Sequence, residues 1–353
     1  MNRSYLLLAA LLVAVPLAAQ DPARERAERA ERAEREAEAR RERAEQERER
    51  ARQRAREREE RRRAHENLDD HDDSDDRDFR SVIDTTVAFA RDGRVDLSLV
   101  SGEIRVTGWN QDRVKVLARS ERGLLRFDHT TSRLSLEVRS QRGRMGDTRY
   151  ELSVPHGSTV MMRSVSGEIY ARLVRGPVEA HSVSGDIDVA DAAGTRINSV
   201  SGEVTVGNVA GNLRANAVSG DLTVTNVSGD VEAETVSGEI RLDDVRSKFV
   251  RAETVSGEVE FSGPIDAAGR YDFHAHSGDI RLNFANAVNA TFNVETFSGS
   301  LDSDFRIQLD PGDYPAGVSR PKRFSFKVGN GAARITTETF SGDIILNAPS
   351  GAR

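Results

Sequence analysis

A tripeptide of serine, glycine and an acidic residue recurs through the second half of this 353-residue chain, most densely in VSGDLTVTNVSGDVEAETVSGEIRL (residues 218–242). A hydroxyl and a carboxylate at fixed spacing on a glycine turn are ligand types for a cation. Six of these acids fall in series: Glu168, Asp186, Glu203, Asp221, Glu239 and Glu258. Calcium, however, takes roughly six to eight oxygens converging from one loop, and each of these sites offers one carboxylate and one hydroxyl. A structural corner is the expected role. The second candidate is His274 and His276 in YDFHAHSGDI, whose i,i+2 spacing puts both rings on one face of a strand. Two imidazoles begin a zinc site, but no third ligand follows, so surface or half-buried histidines are expected. The chain has no cysteine and only seven histidines. Its glycines repeat at regular steps and form no phosphate-binding loop, and no nucleophile–base pair stands out. No catalytic, cofactor-binding or metal-ligating residue is predicted.

The elements that must position the tripeptide follow from its spacing. Between Ser166 and Ser256 the Val-Ser-Gly-acid form recurs at intervals of 18, 17, 18, 18 and 19 residues. Weaker versions lie midway, at Arg175-Gly176, Ala193-Gly194, Ala210-Gly211, Ser228-Gly229 and Arg246-Ser247. A fixed period of this kind marks a repeat architecture. Within each half-repeat two apolar residues are two apart and a third lies three further on: Val204, Val206 and Val209, then Leu213, Ala215 and Val218, and so on to Val245. Period two is that of a strand with one buried face. Two short strands and two turns use one 18-residue step, which favours a parallel β-solenoid over an antiparallel meander, although nine-residue steps fit both. Glycine turns the corner, serine bonds the neighbouring backbone, and the valine before it is expected to be buried. The acid is the one member that a turn does not require, and so the place to look for a cation or a partner.

Residues 80–160 contain alternating stretches without the repeat marker and read as an N-terminal β cap. Residues 161–353 read as the solenoid, with an irregular C-terminal end. Trp109 is expected to plug the cap. Phe273, Phe292, Phe297 and Phe340 recur with the repeat and are expected to stack in the core.

Residues 1–20 (MNRSYLLLAALLVAVPLAAQ) read as a secretory signal peptide, cleaved after Ala19 or Gln20. Its apolar run is shorter than the roughly 20 residues a bilayer requires, and no other stretch could span one. Residues 21–65 are almost entirely Arg, Glu and Ala, with i,i+4 pairs such as Glu25–Arg29 and Glu31–Arg35. They are expected to form a charged helical stalk on the order of 60 Å long. No Leu, Ile, Val or Phe lies between Asp21 and Arg63, so the stalk could self-associate only weakly, as an alanine-seamed coiled coil. Arginines and acids intermix, and the net charge is −7; no basic field for nucleic acid builds up. Residues 66–79 form an acidic flexible linker, where His65 and His71 beside aspartates could hold a cation only loosely.

At Ser164–Ile169 (SVSGEI) and its repeats the sequence resembles a bacterial adhesin-like β-repeat family, domain of unknown function 4097. Two further elements match in order: Val154-Pro155-His156-Gly157 leading into the repeats, and the earlier SGEIRVTGW at Ser101–Trp109. The resemblance covers about Phe79 to Leu346 and leaves out the Arg/Glu/Ala segment. It implies a repetitive β fold in exported or cell-envelope proteins and supplies no catalytic residues. The reading is a non-enzymatic, exported, adhesin-like module in the periplasm or on the cell surface, whose partner is an unknown envelope protein or glycan. The alternative, a carbohydrate-binding or carbohydrate-processing solenoid, demands aromatics and carboxylates on an open face.

Overall fold

The computed structural model describes residues 81–140, 146–305 and 322–349, all within one compact unit, Arg77–Arg353. The signal, stalk and linker expectations, and His65 and His71, lie outside the described residues. Among the described residues no helix is long and apolar enough to cross a membrane.

The repeat folds as parallel coils of two strands each, the architecture of a β-solenoid. On one sheet Gly194–Ser201, Leu213–Ser219, Val231–Ser237, Phe249–Ser256 and Arg270–Ser277 pair in parallel. On the second sheet Ile187–Ala190, Val204–Val209, Leu222–Val227, Ile240–Asp243, Val259–Gly263 and Ile280–Phe284 do the same. Equivalent residues run Ile187, Val204, Leu222, Ile240, Val259 and Ile280, so the coil lengthens towards the C-terminus. The core follows that change. Ala180, Ala215, Ala233 and Ala252 line the narrow coils, whereas Phe261, Tyr271, Phe273 and Phe292 fill the wider ones, all at most 1% exposed.

Both ends depart from sequence order. Ser101, Gly102 and Glu103 stack in parallel register on Ser166, Gly167 and Glu168, 65 residues later. The register of the repeat therefore reaches into the first coil, formed by Arg94–Ser98 and Ser101–Trp109. The coil of Arg133–Ser140 and Thr148–Pro155 lies outside it. Ser81–Ala88, Arg113–Ser120 and Gly123–His129 run antiparallel to their neighbours at this end. At the other end Ala333–Ser341 and Ile344–Asn347 insert between the coil of residues 270–284 and that of residues 290–303. Lys322–Val328 then closes the first sheet, antiparallel to Ala290–Ser298. Antiparallel outer strands interrupt the register that a second solenoid would copy.

Candidate interaction surface

The Ser-Gly-acid corner carries the chain from the first sheet to the second, and glycine is required there twice over. Gly185, Gly202, Gly220, Gly238, Gly257, Gly278 and Gly342 have φ between +122° and +158°, which side-chain-bearing residues rarely adopt. The corners also stack backbone on backbone. A Cβ on Gly238 would strike the carbonyl oxygen of Gly220, and one on Gly257 that of Gly238.

The acids have work inside the fold, which corrects the expectation that the fold does not require them. Asp186 Oδ1 accepts the backbone N–H of Glu203 at 2.9 Å, Asp221 that of Glu239 at 2.9 Å, and Asp279 that of Asp343 at 2.8 Å. Each aspartate therefore fastens its coil to the next. The glutamates instead meet cations or a phenol. Glu103 contacts Arg105 at 2.6 Å, Glu168 accepts from Tyr170 at 2.7 Å, Glu239 pairs with Arg241, and Glu258 pairs with Arg281 at 2.5 Å. Burial pushes the Glu258 carboxyl up, opposed by Arg281 and reinforced by Glu239, Glu260 and Asp279. Among the described residues no three His, Cys, Asp or Glu side chains converge as metal ligands.

At four corners a threonine hydroxyl seals the turn from inside. Thr254 Oγ1 donates to the carbonyl of Gly238 at 3.4 Å, and Thr339 Oγ1 to that of Gly278 at 3.1 Å. These buried threonines, like Ser199 and Ala217 in other coils, occupy the site expected for the residue that follows them. The valine itself points outward: Val165, Val183, Val200, Val218, Val236 and Val255 are 44–49% exposed. In the next three coils the same position holds His276, Phe340 and Phe297. The expectation that Phe297 and Phe340 lie in the core is therefore overturned, while Phe273 and Phe292 are buried as expected. Strand alternation carries straight through to this position. Counting in twos from Leu213 and Ala215 puts Ala217 in and Val218 out, and this is the signal that would have found the row.

The result is one apolar column along an edge of the solenoid. Nine rungs at the usual inter-strand spacing span roughly 40 Å. Its C-terminal end is a ring stack. Phe340 lies between His276 (centroids 5.0 Å apart) and Phe297 (4.8 Å), with all three rings near parallel. Beside the column runs an outward-facing polar row on the same sheet: Asn216, Glu234, Glu253, His274, Glu338 and Glu295. His274 Nδ1 lies 3.4 Å from Glu338 Oε2. Between row and column is a shallow groove of about 630 Å³, lined among others by Glu234, Val236, Glu253, Val255, His276 and Phe340. Trp109 is half-buried and donates its ring N–H to the Arg113 carbonyl at 2.8 Å, closing the turn between Ser101–Trp109 and Arg113–Ser120.

A family model described as Toastrack DUF4097 matches residues 147–347, more than half of the chain. The chain belongs to this family. The Toastrack match takes in nine of the ten stacked Ser-Gly corners and leaves out the first, at Ser101, which the structure adds to the column. No curated protein matches the sequence. Among solved structures, a protein from Clostridium sporogenes ATCC 15579, presumed by name to act in cell adhesion, is 8% identical. That alignment covers 75% of this chain and 99% of the other, with a TM-score of 0.21. A presumed adhesin from Bacteroides fragilis NCTC 9343 is 11% identical over 76% of this chain and 98% of the other, at a TM-score of 0.39. Both scores are low, and the family assignment rests on the sequence match.

Proposed function

We propose that this Toastrack protein is a non-enzymatic, exported, adhesin-like interaction module of the cell envelope, in the periplasm or on the cell surface, and that the apolar column is the surface it presents. The observation that carries the reading is the row of half-exposed valines continuing into exposed phenylalanines. The core does not need these side chains, because the residue before each valine (Ser164, Ser182, Ser199, Ala217, Thr235 or Thr254) already fills the inside of the corner, and contiguous exposed apolar surface of this extent commonly marks an interaction site. The Arg/Glu/Ala segment at residues 21–65 serves as the stalk that holds the module away from its point of attachment.

Carbohydrate binding is the second reading, favoured by Phe297 and Phe340 standing in the open beside Glu295 and Glu338. The ring geometry weakens it. Phe340 has a ring stacked on each face, so neither face is free to lie against a sugar.

Co-sedimentation of the mature chain with isolated envelopes tests the module reading. The wild type should sediment, and the triple variant Val218→Ser, Val236→Ser, Val255→Ser should lose at least tenfold in affinity with an unchanged thermal melt. Equal sedimentation of the two would remove the column from the function.

A further inference from the structure

The column is bordered by carboxylates on both sides. On the sheet side stand Glu234, Glu253 and Glu338, with Glu295 beyond them; Glu253 also pairs with Arg251 at 2.7 Å, Glu295 with Arg323 at 2.7 Å, and Glu338 lies 3.4 Å from His274. Past the corner stand Asp221, Glu239, Glu258, Asp279 and Asp343, of which Glu239 and Glu258 also hold Arg241 and Arg281. We propose that this surface docks an amphipathic, cationic helix of a partner protein, its apolar stripe along the valine column and its Lys or Arg side chains over the two acidic borders. The proposal rests on the module reading above and names the class of partner.

Geometry favours a helix over an extended strand. A partner lying along the column meets a rung about every 4.8 Å. A helix presents its apolar stripe once per turn, about every 5.4 Å, and stays near register for several turns. An extended strand presents same-face residues about every 6.7 Å and falls out of step after two rungs. Charge selects the sign, because Lys and Arg can rest their aliphatic stems on the valines while their heads reach the carboxylates.

Other occupants fit less well. The chain's own Arg/Glu/Ala segment has no Leu, Ile, Val or Phe between Asp21 and Arg63 and so no stripe to offer. A second copy docked column to column would bring Glu234 and Glu253 against the same acids, which repel. A glycan meets ring edges at Phe340.

The probe is a labelled synthetic helix of about 18 residues, roughly five turns, with a Leu stripe flanked by Lys. It is titrated with the mature chain and followed by fluorescence anisotropy. Binding should weaken at least tenfold in Val218→Ser, Val236→Ser, Val255→Ser, and at least tenfold in Glu234→Gln, Glu253→Gln, Glu338→Gln. It should also fall steadily as salt rises through the range where the screening length drops below about 10 Å. A peptide with Glu in place of Lys should not bind. The proposal is overturned if the acidic peptide binds equally, or if either triple variant binds as the wild type does while its thermal melt is unchanged. It is overturned likewise by a wild-type chain that dimerises through the column, or by a neutral glycan that binds there when the helix does not. If envelope sedimentation needs the valines but the lysine helix fails to bind, the module reading stands and this partner class falls.

Discussion

The two corners of each coil solve the same problem with different chemistry. At the Ser-Gly-acid corner the turn is made by glycine at large positive φ, and the neighbouring valine is left outside. At the opposite corner the turn is made by a left-handed residue with a side chain: Asp191, Asn208, Asn226 and Asp244 have φ between 50° and 59°. The residue that follows is buried, with Ala192, Val209, Val227 and Val245 at most 3% exposed. Asn and Asp tolerate this conformation better than other side chains because they bond locally. Here they also bond to one another, Asn226 donating to Asn208 at 2.8 Å and Asn208 to Asp191 at 3.0 Å. One edge is thus closed over its apolar residues, and the other displays them. A valine's place in the repeat, not its hydrophobicity, decides whether it serves the core or the surface.

The largest difference between the corners should appear at the glycines. Gly238→Ala meets both an unfavourable φ and the Gly220 carbonyl, and should cost about 3 kcal/mol or more, read as a lowered denaturant midpoint. Gly207→Ala, in a strand where the nearest heavy atom to an added Cβ is 3.9 Å away, should change stability by less than about 1 kcal/mol. Valines at equivalent steps should separate next. Val227→Ala in the closed edge should cost about 2 kcal/mol from lost burial and a small cavity, and Val218→Ala at the open edge no more than about 0.5 kcal/mol. Equal losses would mean that the open column is a hidden part of the core.

Smaller effects probe the turn residues. Asn226→Ala should cost about 1–2 kcal/mol for the left-handed backbone, and Asn226→Gly should recover most of that in the same melt. Asp221→Ala, which removes the acceptor of the Glu239 amide, should cost about 1 kcal/mol. The smallest effect is pH-dependent. Because the folded Glu258 carboxyl sits above its ordinary range, the native state holds that proton more tightly than the unfolded chain. Stability is therefore lost as pH rises from the ordinary glutamate range through the raised value. Glu258→Gln should flatten this part of the stability–pH curve, and an unchanged curve would locate the titration elsewhere.

Much of this was legible in the sequence. The 18-residue step gave the parallel coils, and the glycines gave one corner outright, because no other residue satisfies that backbone. The opposite corner was placed but not explained. The left-handed backbone of Asn208, Asn226 and Asp244 is what shifts the strand parity by one and turns Val209, Val227 and Val245 inward. The same spacing of three predicts Val218 and Val236 inside as well, but no parity shift precedes them at the Ser-Gly corner, and they face out. Thr235 and Thr254 take the inward place instead, where a stacked glycine carbonyl accepts the hydroxyl. The first coil was hidden for a different reason. Ser101 and Ser166 are neighbours only because the chain between them leaves the stack and returns, which no local period records.

The insertion of Ala333–Ser341 and Ile344–Asn347 has a bearing on how the protein matures. A chain delivered N-terminus first can wind its coils as far as residue 284, but the coil of residues 290–303 has no seat on that stack until Ala333–Ser341 and Ile344–Asn347 arrive to form it. These two strands therefore act as a latch. A chain that lacks them leaves an open sheet edge, the kind of surface that invites aggregation, so the topology itself makes the outer coil depend on residues 333–347.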